Sequence, residues 1–568
     1  MRRAACTGLA LVLLSHAGAA AQELNYQTYL IGTRAMGMGG AFTGVADDPS
    51  AAFHNPAGLG LILRSSTSAN LSVIAIEGWT FSDGYGSALG PEDLEHDAIP
   101  SLPLFVGFVQ KFGDRGSDGV REHGIALSVV RPGRIHRRFR VEVSDVALGV
   151  ADSIRIDHQD DDQWYGVSYG VRLDPSFAVG IGAWLSLRDI VHTEEQFVAR
   201  GIIPAGARRT ADSLFSRQTE ASMSAIQLVF RVGAIWQLDP QWRFGVMLQS
   251  APIPISTSAT LRSRLGRTTS EMPPSVEELS FVDLEGLPAD APTPWQLRLG
   301  ASHAFTDSFA LAADLALYSP IGSANDPVQT FGPPTEDPLT GDVPSPGTFI
   351  PREWYANVTA NLSIGVDALI ADVVPIQAGV FTDLSAAPSI DGPSAVYRPP
   401  QVHGVGASLA GGFHRGDFDV QLGVAGVIGW GTGLGTNPDP SAPPEEAYVP
   451  VDVRRHAVYF FLSGTERAAA GLVRELLGDL DGEQPAAGES SGEEAEPGRG
   501  EARAGGEARS EEPPAEGPPA DEAPEEDERR AEAGPQYLRS PWPDLATGAP
   551  DRGRPDRPPT SGEGASRP

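Results

Sequence analysis

The amino-acid sequence predicts an all-β fold: a transmembrane antiparallel β-barrel of about 14 strands with an N-terminal plug and a disordered C-terminal tail. Three observations predict it. Apolar and polar residues alternate with a period of two from about residue 63 to residue 464. Short links and long links alternate between these runs. Glycine and proline, which occupy turns, number 65 and 49 in a chain of 568 residues.

A secretion signal precedes the barrel. Arg2 and Arg3 are followed by a short apolar run, and Ala19 to Ala21 before Gln22 fits a cleavage site. We therefore expect residues 1–21 to be a signal peptide, since the apolar run is too short to remain as a membrane anchor. The only cysteine, Cys6, would leave with it, so the mature chain would have no thiol or disulfide.

Residues 22–62 are expected to form a compact plug at the periplasmic mouth or inside the lumen. Asp48-Pro49 predicts a helix cap and first helical turn for "PSAAFH", and Asn55-Pro56 repeats the device for "PAGL". Glycines in "GMGG" allow close backbone packing. The candidate plug and gating residues are Asn55, Pro56, Ala57, Asp47, Asp48, Gly39 and Gly40.

The barrel is expected over residues 63–464. Strand-like runs fall at about 64–79, 101–112, 122–140, 162–173, 176–191, 221–238, 241–262, 294–305, 308–319, 352–371, 373–383, 401–413, 416–430 and 451–463. In "SFALAADLALY", for example, Phe309, Leu311 and Leu315 share an apolar face and Asp314 points the other way. Such a face on every strand favours lipid contact over the alternative, a soluble β-sandwich.

The links predict an orientation in the bacterial outer membrane. Tight turns such as Asp174-Pro175 and Asp239-Pro240 would be periplasmic, and long polar links, such as 193–219 and 321–349, would face outward. An even strand count puts the N-terminus and the C-terminal tail in the periplasm. Outer-membrane lipid is then a partner of the barrel wall.

Several residues are candidates for a role in the lumen. Gln296, Arg298 and Asp314 lie on the polar faces of two strands joined by a tight turn, and an odd number of turn residues would place Arg298 opposite Asp314. The pair would stiffen the wall or contact a ligand. Pro132 and Gly133 in "VVRPGRI" are candidates for a strand kink, the alternative being a loop start.

The chain changes character after the barrel. Residues 465–480 place leucines on one stripe, which predicts a short amphipathic helix. Residues 481–568 are rich in Pro, Gly and Glu, which predicts a disordered acidic tail. "PQYLRSPWPDL" is either a docking motif for a periplasmic partner or a few stray apolar residues.

Composition and motifs exclude several classes of function. The net charge of −32 argues against nucleic-acid binding. "DHQDDDQ" and "PEDLEHD" match no calcium-loop spacing, so we expect solvated charge in outer loops and no metal. No H-E-x-x-H pattern occurs, and we expect no catalytic residues and no cofactor.

The stretch "GTRAMGMGGAFTGVADDPSAAFHNPAGL" resembles the N-terminal plug of the FadL/TodX-type outer-membrane transporter family for long-chain fatty acids and hydrocarbons. The resemblance centres on Asn55-Pro56-Ala57 and covers roughly residues 26–464, including "WQLRLGASHAFTDSFALAADLALY" and "DPQWRFGVMLQSAPIPIS". It implies a fourteen-stranded barrel. The opening also resembles the PorV-like branch, which serves protein secretion. A departure is the absence of a terminal aromatic for the barrel-assembly machinery, since Phe460 and Phe461 are internal.

The resemblance implies passive transport of hydrophobic small molecules, gated by the plug, with capture among outer loops and an axial or sideways exit. Two alternatives remain: a secretion or binding accessory barrel, and a lipid-active enzyme, for which no Ser-His pair is evident.

Overall fold

The structure is a computed structural model that describes residues 24–87, 89–98, 104–115, 121–145, 147–202, 211–269, 275–329, 353–416, 418–436 and 447–466. The signal peptide predicted at 1–21 and the tail predicted at 481–568 lie outside these ranges. So does the helix predicted at 465–480, apart from its first two residues. These three predictions remain untested.

Strands dominate the described residues. The strands are β1 Ser66–Ser87, β2 Gly90–Ala98, β3 Leu104–Arg115, β4 Arg121–Asp145, β5 Val150–Asp174, β6 Phe177–Ile202, β7 Ala211–Gln237, β8 Trp242–Gln249, β9 Ile253–Thr269, β10 Ser275–Leu287, β11 Gln296–Thr306, β12 Phe309–Tyr318, β13 Val328–Gln329, β14 Glu353–Trp354, β15 Thr359–Ile370, β16 Val374–Asp383, β17 Gln401–Arg415, β18 Phe418–Thr436 and β19 Tyr448–Glu466.

These strands close a barrel. Antiparallel pairing runs β1–β3–β4–β5–β6–β7–β8–β11–β12–β15–β16–β17–β18–β19 and returns from β19 to β1. Beyond this ring, β2 pairs with β1, β9 with β7 and β10 with β9, while β13 and β14 form a separate pair. Closure matters because an unpaired sheet edge cannot face lipid. The predicted all-β barrel is confirmed.

The ring traced by these pairings has 14 strands, in line with the prediction of about 14, and the described residues hold 19 strands in all. The run at 241–262 is divided into β8 and β9 around Pro252, and the run at 352–371 into β14 and β15. The additional strands β2 and β13 lie in sequence without apolar alternation, and in β10 the alternation changes phase between Phe281 and Val282, so the period-two signal misses these strands.

The barrel is turned apolar side out. In β12, Leu311 and Leu315 are exposed while Asp314 and Ala316 are buried, as the alternation predicts. Trp236, Trp242, Phe244, Phe305 and Phe309 are exposed near the tight turns after β7 and β11. Exposed aromatic residues in such a position are typical of the membrane–water interface of a barrel. The ends of the strands at these turns are called the short-turn end below.

Three stretches that were expected in outer loops lie in strands. The link predicted at 193–219 is mostly the continuation of β6 and β7, which pair as far as Ile202 and Ala211. The acidic stretches at 157–163 and 91–97 lie in β5 and β2. Asp160 is buried in an ion pair with Arg188, at 2.5 Å, so it is not solvated charge. The partner, Arg188, comes from the neighbouring strand, so the spacing of residues around Asp160 in the sequence does not reveal it.

The N-terminal segment, residues 24–62, holds the described helices: α1 Thr33–Gly37, α2 Ala51–His54 and α3 Gly58–Leu61. The two helical turns predicted from Asp48-Pro49 and Asn55-Pro56 are present, but each begins two residues later than predicted. Asp48 accepts hydrogen bonds from the Ser50 amide and hydroxyl, at 2.7 and 2.5 Å, and so forms a turn ahead of α2. No helix in the described part of the chain is long and apolar enough to cross a membrane.

Candidate functional site

The N-terminal segment rests on a ring of glycines on the inner side of the barrel, here called the glycine belt. A Cβ at any of these positions would lie 1.9–2.5 Å from an atom of the segment. Neighbouring strands place them side by side, as in Gly124–Gly170–Gly180–Gly233. The belt consists of Gly124, Gly170, Gly180, Gly233, Gly245, Gly300, Gly365 and Gly379.

The middle of the segment is held by side-chain hydrogen bonds. The buried Asp314 carboxylate of β12 accepts from the Phe42 amide (3.0 Å), the Thr43 amide (2.8 Å) and the Thr43 hydroxyl (2.6 Å). Asn55, fully buried, donates to the Thr43 and Ala234 carbonyls and accepts from the Ala57 amide. Asn55 therefore joins two parts of the segment to the barrel wall.

The start of the segment is held by other strands of the barrel. Asp383 of β16 accepts from the Gln27 amide at 3.0 Å and the Thr28 hydroxyl at 2.6 Å. Arg455 of β19 completes this group by pairing with Asp383 at 2.6 Å. Leu30 donates its amide to the Tyr459 hydroxyl at 3.0 Å. The segment is thus fixed to strands on both sides of the barrel.

Above the belt, away from the short-turn end, lies a central cavity of about 200 Å³. It combines aromatic and aliphatic surface with a few polar groups, as ligand pockets do. Its lining includes Tyr26, Phe53, His54, Pro132, Ile135, Trp164, Arg188, Arg231, Met247, Gln249, Gln296, Arg298 and Tyr318. Phe53 and His54 come from α2, so the N-terminal segment supplies part of the wall.

Three arginines, Arg188, Arg231 and Arg298, and two carboxylates, Asp160 and Asp162, line the central cavity. Arg188 is neutralised by Asp160. Among the described residues, no ion pair joins Arg231 or Arg298 to a carboxylate, although Asp314 attracts Arg298 and the two arginines repel each other. Arg231 is only 3% exposed. A buried cation with no carboxylate beside it favours an anionic ligand, because desolvation without a counter-charge is unfavourable.

His54 stays neutral beside these arginines. Its ring contacts the Ile31 carbonyl at 2.8 Å through Nε2. Burial, together with the positive charge of Arg298, lowers the pKa of His54 to about 3. The histidine therefore adds no positive charge to the cavity near neutral pH.

A second cavity of about 500 Å³, the short-turn cavity, lies at the other side of the segment. It is lined by Thr33, Arg34, Asp47, Asp48, Pro49, Leu61, Ile62, Leu63, Arg64, Ser66, Arg243, His414, Gly416, Asp419, Gln421 and Thr465. Arg34 pairs with Asp47 of the segment and with Asp367 of β15. His414 contacts Asp419. Aromatic side chains are missing from this lining.

The structure places the predicted lumen residues as follows. Gln296 and Arg298 line the central cavity. The prediction that Arg298 lies opposite Asp314 is wrong, because Asp314 is paired with Gly300 and Arg298 with Ala316. A bulge between Ala304 and Thr306 sets this register. The two residues are diagonal neighbours on one face, and Asp314 holds the N-terminal segment instead.

The predicted kink falls on an irregular part of β4. Pairing between β4 and β5 shifts by one residue between Val130 and Gly133. The described pairing of β4 with β3 ends at Arg131. Pro132 lines the central cavity at this point. Pro132 and Gly133 are therefore inside a strand, at a bulge, rather than at a loop start.

The remaining plug candidates have structural contacts. Gly39 and Gly40 have φ angles of 64° and 85°, which favour glycine. A Cβ on Gly39 would lie 3.0 Å from the Val380 amide nitrogen. Pro56 and Ala57 lie against Gly180 of the belt.

A serine pattern was missed in the sequence. Residues 166–170 read G-x-S-x-G, the pattern of a hydrolase nucleophile turn, but they lie inside β5 rather than between a strand and a helix. Ser168 donates to the Ala52 carbonyl at 3.2 Å, which gives it a structural role. Among the described residues, no group of three or more His, Cys, Asp or Glu side chains is placed to hold a metal ion.

No family model and no curated protein matches the chain. Solved structures do match. A FadL homologue from Pseudomonas aeruginosa has a TM-score of 0.49 at 14% identity over 78% of this chain and 99% of its own. The fold is similar to that of FadL-type barrels. The toluene transporter TodX from P. putida gives a TM-score of 0.47 at 11% identity, over 78% of this chain and 99% of its own.

The CymD monoaromatic hydrocarbon channel covers 78% of this chain and 98% of its own, at 15% identity and a TM-score of 0.41. FadL and TodX are the names that the sequence resemblance suggested. At these identities and TM-scores below 0.5, none of the three matches carries an argument about cargo or gating, which must come from the chain's own residues.

Proposed function

We propose that the protein is an outer-membrane barrel that passively transports hydrophobic molecules with an anionic head group, such as long-chain fatty acids. The observation that carries the proposal is the central cavity, in which the buried Arg231 and the neighbouring Arg298 lie beside Phe53 and Trp164. The guanidiniums suit a carboxylate, and the rings and Met247 suit the first part of an alkyl chain. A neutral hydrocarbon would leave Arg231 with neutral partners alone.

The N-terminal segment is proposed to act as the plug. It separates the central cavity from the short-turn cavity, and the glycine belt seats its backbone on the wall without intervening side chains. Asn55 joins Thr43 to β7 through its hydrogen bonds. A change at Asn55 would loosen both contacts, which makes it the first residue to test for gating.

The exit is proposed to be sideways through the wall near Pro132. The cavity reaches the wall there, and the pairing of β4 with β5 is shifted by a bulge between Val130 and Gly133. The axial route leads to a cavity lined by charged groups, which an alkyl chain would enter at a cost. An exit at this height would open beside the partly exposed ion pair of Arg131 and Asp161.

The test is uptake of oleate and of oleyl alcohol by a bacterium that lacks its own long-chain fatty-acid uptake barrel. We expect the chain to restore oleate uptake and Arg298→Gln to lower it about tenfold, the loss of one charge-assisted contact. Oleyl alcohol, which has no carboxylate, should be taken up no better by the parent chain than by the variant.

Asn55→Ala is the companion variant for the plug. We expect it to insert normally and to raise leakage of small polar solutes while lowering selective uptake. A correctly inserted parent barrel that takes up neither molecule would contradict transport and favour the secretion-accessory alternative. Equal uptake of oleate and the alcohol in all variants would contradict the anionic head group.

A further inference from the structure

Arg231 touches the central cavity and the N-terminal segment at once. Its Nη1 donates to the Phe53 carbonyl, and its guanidinium carbon lies 3.7 Å from the centre of the Phe53 ring. Nε and Nη2 both donate to Gln249 Oε1, at 3.0 and 2.6 Å. All of these partners are neutral, so the buried positive charge is solvated by dipoles and by π-electrons alone.

The Phe53 carbonyl depends on this arginine. Phe53 lies in the last turn of α2, where carbonyls have no partner within the helix. Among the hydrogen bonds of the described residues, only that from Arg231 reaches this oxygen. Asn55, which joins the segment to the barrel, is two residues further on. A change at Arg231 therefore acts on the part of the segment beside its main attachment.

We propose that Arg231 couples the arrival of an anionic head group in the central cavity to loosening of the plug. The proposal rests on the proposed transport function. A carboxylate accepts two parallel N–H bonds from a guanidinium and holds them more strongly than an amide or peptide oxygen does. When Arg231 turns to the carboxylate, the Phe53 carbonyl loses its donor and the Phe53 ring loses its cation.

The consequence is a shift in the plug equilibrium. A buried carbonyl without a donor is unfavourable, so the seated plug becomes less stable once the head group is bound. We expect a roughly tenfold shift toward the unseated plug, the size that the loss of one such hydrogen bond gives. A neutral molecule cannot compete for the guanidinium and leaves the plug seated.

Arg298 has a different role in this scheme. It lines the same cavity, but no hydrogen bond between it and the described part of the N-terminal segment is present. It attracts the head group without holding the plug. Substitution of Arg298 therefore tests binding of the head group, and substitution of Arg231 tests its coupling to the plug. The two variants form a matched pair.

The experiment measures how accessible the plug is. Since the one cysteine of the chain, Cys6, lies in the predicted signal peptide, the mature chain offers a cysteine-free background. Leu61→Cys introduces a thiol in α3 beside the short-turn cavity. The rate of labelling by a charged, membrane-impermeant maleimide is measured in the purified barrel without ligand, with oleate and with oleyl alcohol, and oleate binding is measured by calorimetry.

We expect oleate to raise the labelling rate about tenfold and oleyl alcohol to leave it unchanged. Arg298→Gln should weaken oleate binding but keep the full response at saturating oleate. Arg231→Lys, which keeps the charge but not the fork of N–H donors, should bind oleate and lose most of the response. Its unchanged thermal unfolding would show that the variant is folded.

The outcomes are distinguishable. Oleate binding by the parent without any change in labelling would overturn the coupling and leave the transport proposal standing. A full response in Arg231→Lys would also overturn the coupling. An absence of oleate binding to a folded parent barrel would overturn both proposals together.

Discussion

The two cavities on either side of the N-terminal segment differ in how their charges are balanced. In the short-turn cavity, Arg34 is neutralised by Asp47 and Asp367, and His414 lies against Asp419. In the central cavity, Arg231 has only neutral partners and sits among aromatic rings. Arg34 and His414 of the short-turn cavity thus lie against carboxylates, whereas among the described residues no ion pair joins Arg231 to a carboxylate, although Asp160 and Asp162 also line the central cavity.

The difference indicates where a ligand can contribute. A chamber whose charges are already paired gains little from a charged solute, because each new contact must replace an existing one. The central cavity can offer a ligand the guanidinium of Arg231, which has no carboxylate partner among the described residues, together with an apolar surface. The proposed binding function is therefore assigned to the central cavity.

The largest expected effect comes from removing the partition between the cavities. Gly180→Ala puts a Cβ 2.3 Å from the backbone of Pro56, and both groups are backbone-fixed. We expect about 3 kcal/mol lower stability of the seated segment and a clear rise in ion conductance. Gly411→Ala, whose Cβ would come no closer than 4.0 Å to any neighbour, is the control and should conduct like the parent.

The next effect concerns the attachment of the segment on the central side. Asp314→Ala leaves two buried backbone N–H groups and the Thr43 hydroxyl without an acceptor, so we expect a loss of about 2–3 kcal/mol. Asp367→Asn, which keeps an oxygen that can accept from Arg34 in this partly exposed pair, should cost less, about 1 kcal/mol. The free energies of unfolding of the two variants are compared by urea unfolding in micelles. Equal losses would contradict the expected difference between the central side and the short-turn side of the segment.

A pH effect of middle size is expected from His54. Its pKa is about 3 when folded, against 6.5 for the ordinary side chain, so the unfolded state binds the proton first as the pH falls. Stability from this group is complete above pH 6.5 and falls toward pH 3, by about 2 kcal/mol at pH 5.

The control for this pH effect is His54→Gln, because other groups also titrate. Burial raises the pKa of Asp48, which contributes a slope of the opposite sign. The difference between the parent and His54→Gln isolates the histidine, and identical slopes from pH 7 to pH 5 would show that His54 is not buried in the neutral form.

The smallest effect is expected at the far surface. Arg140 and Glu142 pair at 2.6 Å with exposures of 66% and 61%. Arg140→Gln should change the free energy of unfolding by less than about 0.5 kcal/mol and leave uptake unaltered. A large loss of uptake in this variant would place a ligand site outside the two cavities.

Much of the wall follows from the sequence because one face of each strand is apolar. The runs at 308–319 and 373–383 match β12 and β16 within two residues, since lipid contact demands strict alternation. The extensions of β6 and β7 were missed because polar residues such as Glu194 and Arg217 face each other inside the barrel, where pairing replaces hydrophobicity.

The site was harder to predict than the wall. Gln296 and Arg298 were identified from their place on the polar face, and they line the central cavity. Arg231 lies in "LVFRVGAIW", where a lone arginine gives no signal of its own. Its role depends on contacts with Phe53 and Gln249, which are distant in sequence. It also depends on the register between the strands, which the local sequence around Arg231 does not reveal. The glycine belt could have been found, because Gly170, Gly180 and Gly233 each fall mid-strand.

The contacts at the start of the segment bear on assembly. Thr28 and Leu30 bond to Arg455 and Tyr459 of the last strand, across 427 and 429 residues of sequence, and Tyr29 bonds to Glu77 of the first strand. The first and last strands meet at the seam of the ring. The segment near the N-terminus therefore contacts both strands of the closing pair, and it is synthesised long before the last of these strands.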